Sequence, residues 1–116
     1  MPVLARTLEQ HGLATILVTN MPYWAEKIGV PRTLAVQFPF GHILGQPGDV
    51  SMQRRVIAQA LQVWQNAAAP GTIVHSEESW PTPAAEASKS WQPTTPSPVI
   101  AHLGPKLREL LRQRRG

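Results

Sequence analysis

The chain has 116 residues, 42% of them hydrophobic, no cysteine and a formal net charge of +4 at pH 7. That length supports one modest core with tails and not two. The absence of cysteine excludes a disulfide scaffold, a zinc–thiolate site and any thiol nucleophile supplied by this chain. The charge is concentrated in "KLRELLRQRRG", where Lys106, Arg108, Arg112, Arg114 and Arg115 face one acid, Glu109, and the rest of the chain is close to neutral. The start, "MPVLARTLEQHG", has no signal-peptide apolar run, and "LATILV" is far shorter than the ~20 residues that cross a bilayer, so a cytoplasmic protein is expected.

Leu4, Ala5 and Leu8 recur at helical spacing, and Gly12 stands where a helix would need a left-handed stop, predicting a short amphipathic first helix. Residues 13–19, "LATILVT", form a continuous apolar, β-branched run of the kind seen in a strand covered on both faces. Pro22 suits the first turn of a second helix, with Trp24 and Ile28 on one face and Gly29 and Pro31 ending it. Residues 33–38, "TLAVQF", read as a second strand. A third helix follows, capped by Asp49 or Ser51, with Met52, Val56, Ile57, Ala60, Leu61 and Trp64 as its apolar stripe. "APG" stops that helix, and residues 72–75, "TIVH", form a third short strand.

Strands alternating with helices through short connections predict parallel pairing by right-handed crossovers. The expected fold is a small three-layer α/β domain over residues 1–75 with a short, mainly parallel sheet. A Pro-rich linker, extended or disordered, is expected over 76–103, and a basic amphipathic helix over 104–116. Trp80 and Trp91 in the linker read either as anchors for a partner or as side chains folded back on the body. Three parallel strands leave two unprotected edges, so self-association or a companion chain is expected.

The loop at 36–49, "VQFPFGHILGQPGD", lies past the carboxyl end of a parallel strand, where α/β sheets bind ligands. Gly41, Gly45 and Gly48 permit backbone angles closed to other residues, while Pro39 and Pro47 stiffen the chain. Backbone N–H groups near Gly48 and Asp49 make a candidate anion site at the next helix. The spacing matches neither a Walker loop nor a dinucleotide fingerprint, so a tight crossover packed over the sheet edge is the alternative. Phe40 and His42 share this loop; His42 is a candidate substrate or proton contact, since imidazole is the side chain that changes charge near neutral pH. Arg32 reads as a bidentate carboxylate clamp or as a cap for the preceding helix's carbonyls. Asp49 is a helix cap or a catalytic acid, and Asn20, after the first strand, a ligand contact or a turn residue. His11, His75 and His102 lack metal-ligand spacing; no metal site and no cofactor are assigned.

"LEQHGLATILVTN", "GVPRTLAVQFPFGHILGQPGD" and "QRRVIAQAL", in this order and spacing, resemble the C-terminal part of the selenoprotein B family. This family comprises component B of glycine, sarcosine and betaine reductases and related D-proline reductase proteins. The resemblance spans residues 4–61. It implies reductive cleavage of a C–N bond, a small amino-acid-like substrate, and a selenocysteine or cysteine just upstream of the first helix. That reactive position would fall before Met1, so the resemblance implies a fragment, a split subunit or a degenerate paralogue, inactive alone. A reading of another class is a non-enzymatic binding module whose basic C-terminal helix meets nucleic acid or an acidic partner; without aromatic stacking residues on that helix, nucleic acid is disfavoured.

Overall fold

The computed structural model describes residues 1–90, 94–95, 97–99, 101–104 and 106. Most of the expected basic C-terminal helix, and Trp91, lie outside the described residues. Seven elements follow in order: α1 (Pro2–Gln10), β1 (Leu17–Thr19), α2 (Pro22–Ile28), β2 (Arg32–Ala35), α3 (Val50–Asn66), β3 (Thr72–His75) and α4 (Ala84–Ser90). The three strands form a parallel sheet in the order β1-β2-β3, with Val18 opposite Leu34 and Leu34 opposite Val74. The protein is a small α/β domain with helices on both faces of this sheet. Among the described residues no helix is long and apolar enough to cross a membrane.

Alternation along the strands assigns the two faces. Leu34, Val36 and Phe38 pack on one side with Met52, Val56, Ala60 and Val63 of α3, and Ile16 and Val18 lean against the same cluster. Leu17 points to the other side, into a second cluster with Ala5 of α1, Ala25 of α2 and Val30. The strand order is sequential while α2 and α3 lie on opposite faces, so the two crossovers have opposite hands and the expectation of two right-handed ones fails. α2 instead sits beside α1, where the small Ala5 and Ala25 let two short helices share one face. Arg6 Nη1 seals that contact by donating to Ile28 O at 2.9 Å.

The helix signals act as expected. Pro22 opens α2, Gly29 ends it in the left-handed conformation at φ 75°, and Asp49 caps α3 by accepting the Met52 N–H at 2.9 Å. The strands are shorter than the apolar runs. Residues 13–16 are not paired, because the Thr15 N–H and hydroxyl both donate to Glu9 Oε1 and tie this segment to α1. β1 is therefore a three-residue edge strand, shorter than the expected run; Leu17 and Val18 are covered on opposite faces, as expected, while Leu13, outside the strand, is exposed. Beyond Ala35 the second run leaves the ladder as β1 ends, with a last bond from Val36 N–H to Thr19 O at 2.9 Å.

Two apolar stripes also turn. Trp24 is exposed and meets Tyr23 edge-on, with ring centroids 5.4 Å apart, because α2 docks through Ala25. Ile57, Leu61 and Trp64 are exposed as well, because α3 settles on Met52, Val56, Ala60 and Val63. Over 76–90 the expected extended linker is replaced by ordered structure. Ser76 donates through Oγ to Gln59 Oε1 at 2.6 Å, Glu78 pairs with Arg55, and Trp80 packs on the core before α4 buries Ala87. Trp80 thus folds back onto the body.

Candidate functional site

The carboxyl ends of the three strands, the loop that follows β2 and the segment after β3 enclose a cleft of about 740 Å³. Its aromatic walls are Phe38, Phe40 and Trp80, and its polar groups include Asn20, His75 and Glu77. Each wall has a local cause. Asn20 follows the last residue of β1, and its Nδ2 donates to Phe38 O at 3.1 Å, fixing the first bend of the loop. His75 is the last residue of β3, and the Ser76 N–H continues the ladder to Ala35 O at 2.8 Å, so the chain reaches the cleft still in register.

Trp80 is the hinge of the far wall. Its ring lies 5.6 Å from Phe38 and is stacked at 5.5 Å on His42, with planes 24° apart. The segment carrying it is held at its base by a forked pair, Arg55 Nε to Glu78 Oε1 at 2.6 Å and Nη2 to Oε2 at 3.0 Å. The Arg55 hydrogen bonds hold the Glu78 carboxyl below the usual carboxylate range. Glu78 is thus charge-paired with Arg55, and the Glu77 carboxylate borders the cleft beside it.

The residues expected to form the site divide. Asn20 and Phe40 line the cleft. His42 lies behind Trp80, where it buttresses the wall rather than lining the cavity. Gly41, at φ 85°, turns the loop between Phe40 and His42. Gly45 faces the core instead of the cleft: a Cβ there would meet Met52 Cγ at 3.1 Å. Gly48 and Asp49 lie at the start of α3, outside the cleft lining. The Asp49 N–H is not turned to an anion, because it donates to Gln46 O at 3.2 Å, and the Asp49 carboxylate itself occupies the helix end. The Met52 N–H bond, reinforced by the Ser51 hydroxyl, holds Asp49 below its usual range, as a cap would.

Arg32 is absent from the cleft. It is the first residue of β2, at the opposite edge of the sheet, and its Nη1 pairs with Glu9 Oε1 at 2.7 Å. A substrate clamp at the carboxyl edge is out of its reach, and the carbonyl of Ile28 is capped by Arg6, not by Arg32. Burial alone would raise the Glu9 carboxyl; the Thr15 donors and Arg32 outweigh it and hold the group below its usual range. This cluster anchors α1 to the sheet.

Sequence reasoning missed His75, Glu77 and the wall made by Trp80 and Ala87. For His75 the signal was present: a polar residue ending the third strand shares the edge with Asn20. Among the described residues, no group of three or more His, Asp and Glu side chains could hold a metal ion.

Together these features define a small three-layer α/β domain with a ligand-sized, aromatic-walled cleft at the carboxyl edge of a parallel sheet. No protein-family model and no solved structure matches the chain. It is 28% identical over 72 residues to D-proline reductase subunit gamma of Acetoanaerobium sticklandii, a match covering 62% of this chain and 30% of the relative. That likeness supports a distant relation to the D-proline reductase family. The chain spans less than a third of the relative's length.

Proposed function

We propose that this chain is the substrate-side part of a reductase that cleaves a C–N bond, with the nucleophile supplied from outside these 116 residues. The observation that carries the reading is the likeness to D-proline reductase subunit gamma over 62% of the chain. The cleft supports it by its position at the ligand edge of an α/β sheet. The composition explains the division of labour: with no cysteine, the chain has no thiolate to attack a substrate carbon. Its contribution is binding and orientation.

The cleft chemistry suits a small amino-acid-like molecule. An ammonium or iminium group is attracted by the aromatic rings of Phe40 and Trp80 and by the Glu77 carboxylate among the lining residues, while the Asn20 carboxamide offers a donor or acceptor to the other end. Titrating D-proline and glycine betaine into the chain while following tryptophan fluorescence tests the reading. Binding of at least one, lost in Trp80→Ala, is expected, with no C–N cleavage when the chain is given a dithiol alone. Turnover by the isolated chain, or binding of neither ligand, would refute it.

A further inference from the structure

The charge of the cleft is one-sided. Among the described residues, its lining contains no lysine or arginine, while Glu77 and Glu78 both border it. Glu78 is spent on Arg55, whose Nε and Nη2 reach its two oxygens at 2.6 and 3.0 Å. That pair is neutral as a unit, and Arg55 stays outside the lining. Glu77 has no ion-pair partner among the described residues. Only protonation of His75 would add positive charge to the lining. Arg32, the expected carboxylate clamp, is bonded to Glu9 at the opposite edge of the sheet. A zwitterion entering the cleft therefore meets groups suited to its ammonium pole and no fixed cation for its carboxylate.

The walls favour the same pole. Trp80 stacks one ring face on His42 at 5.5 Å, and His42 is not part of the lining, so the opposite face is the one turned to the cleft. Phe40 adds a second, exposed ring. Ring faces carry negative charge density: they attract an ammonium group, most strongly at tryptophan, and repel a carboxylate. Neutral donors remain at Asn20, Ser79 and Thr82, although Asn20 Nδ2 already donates to Phe38 O at 3.1 Å. A neutral donor gives a carboxylate about half the bond strength of a charged one.

Size leaves the other half of the site open. A benzene-sized ring fits a cavity of about 150 Å³, and the cleft holds about 740 Å³. We infer that this cleft recognises the ammonium pole of its ligand alone, and that the carboxylate is held by a cationic side chain from outside these 116 residues, in the space the ligand leaves. The inference rests on the proposed substrate-side role and refines it. This chain selects by the cation, and whatever brings the nucleophile also selects the acid.

Ligands that separate the two poles test it. Pyrrolidine is D-proline without its carboxylate, and tetramethylammonium is glycine betaine cut back to its cation. Tetrahydrofuran-2-carboxylate is proline with an ether oxygen in place of the ammonium. Each is titrated into the full chain beside its parent, with tryptophan fluorescence as the readout, at constant ionic strength and about pH 8, where an ordinary imidazole is neutral. In whichever pair binds, the amine is expected to bind no more than about fivefold more weakly than its parent, and the ether carboxylate is expected not to bind. Phe40→Leu, at an exposed position, and Glu77→Gln are each expected to weaken amine and parent alike, about two- to fivefold. A parent bound more than about fivefold tighter than its amine, or binding of the ether carboxylate, places a carboxylate site within this chain and overturns the inference, while the substrate-side role stands. Binding indifferent to both substitutions overturns it too. An amine that binds where neither D-proline nor glycine betaine does refutes the substrate-side role and leaves the cation site. Silence from every ligand refutes both.

Discussion

Replacing Gly45 with alanine tests how the loop is held against the core. Gly45 has φ 116° and donates its N–H to His42 O at 2.9 Å, closing the turn that sets His42 against Trp80. An added Cβ would stand 3.1 Å from Met52 Cγ and 3.2 Å from Met52 Sδ. Met52 is itself enclosed in the core and has little room to retreat. Two costs follow: about 1–2 kcal/mol for an L-residue at positive φ, and about 1–3 kcal/mol for overpacking a buried methionine. Together they predict a loss of about 2–5 kcal/mol, or roughly 10–30 °C in Tm for a domain of this size. Gly48→Ala separates the two, since Gly48 has φ 80° but nothing within 4 Å of its would-be Cβ. It should show the backbone cost alone. Urea unfolding followed by tryptophan fluorescence, with unchanged m-values, measures both. Equal losses in the two variants would refute the packing argument and show that Met52 gives way freely.

Thr33→Val should stabilise the domain by about 1 kcal/mol, because the Thr33 hydroxyl is fully buried without a partner among the described residues and valine keeps the shape without that penalty; a destabilised variant in urea would show that the hydroxyl has a partner. Glu9→Gln should flatten the acid limb of the stability curve. The folded Glu9 pKa lies below the ordinary value, so its contribution is complete above the unfolded pKa of ~4.3 and disappears as pH falls through the lower folded value. Identical pH profiles for the variant and the parent would exclude that role. Trp80→Ala should cost about 2 kcal/mol and accelerate proteolysis within 76–90, since the ring joins that segment to Phe38 and His42; unchanged cleavage rates would mean that Glu78 and α4 hold the segment unaided.

The legible parts of the fold were those governed by local chemistry. Pro22 and Gly29 bound α2, Asp49 caps α3, and "TIVH" is β3 over the expected residues, because caps, left-handed stops and short β-branched runs depend on neighbours in the chain. The position of a cleft at the carboxyl edge followed from the strand-to-helix order, and Asn20 and Phe40 line that cleft.

Tertiary structure decided everything that required knowing which surface an element turns inward. The apolar residues of α3 span two adjacent flanks, and periodicity alone does not choose between Val56 with Val63 and Ile57 with Trp64; packing against Leu34 and Val36 does. Arg32 followed a helix and preceded a strand, a context equally fit for a clamp, but Glu9, 23 residues earlier, was the carboxylate within reach. A Pro-rich composition made 76–90 look unable to order itself, and by itself it lacks the apolar surface to do so. It is ordered because the domain offers Phe38, His42, Gln59 and Arg55 as anchors. The sequence by itself determined the first six elements and their order, and placed the candidate cleft at the carboxyl edge, since these are written in local spacing. The cleft's far wall, the fate of Arg32 and the open flank of α3 arise from contacts between distant residues, and only the folded chain brings those together.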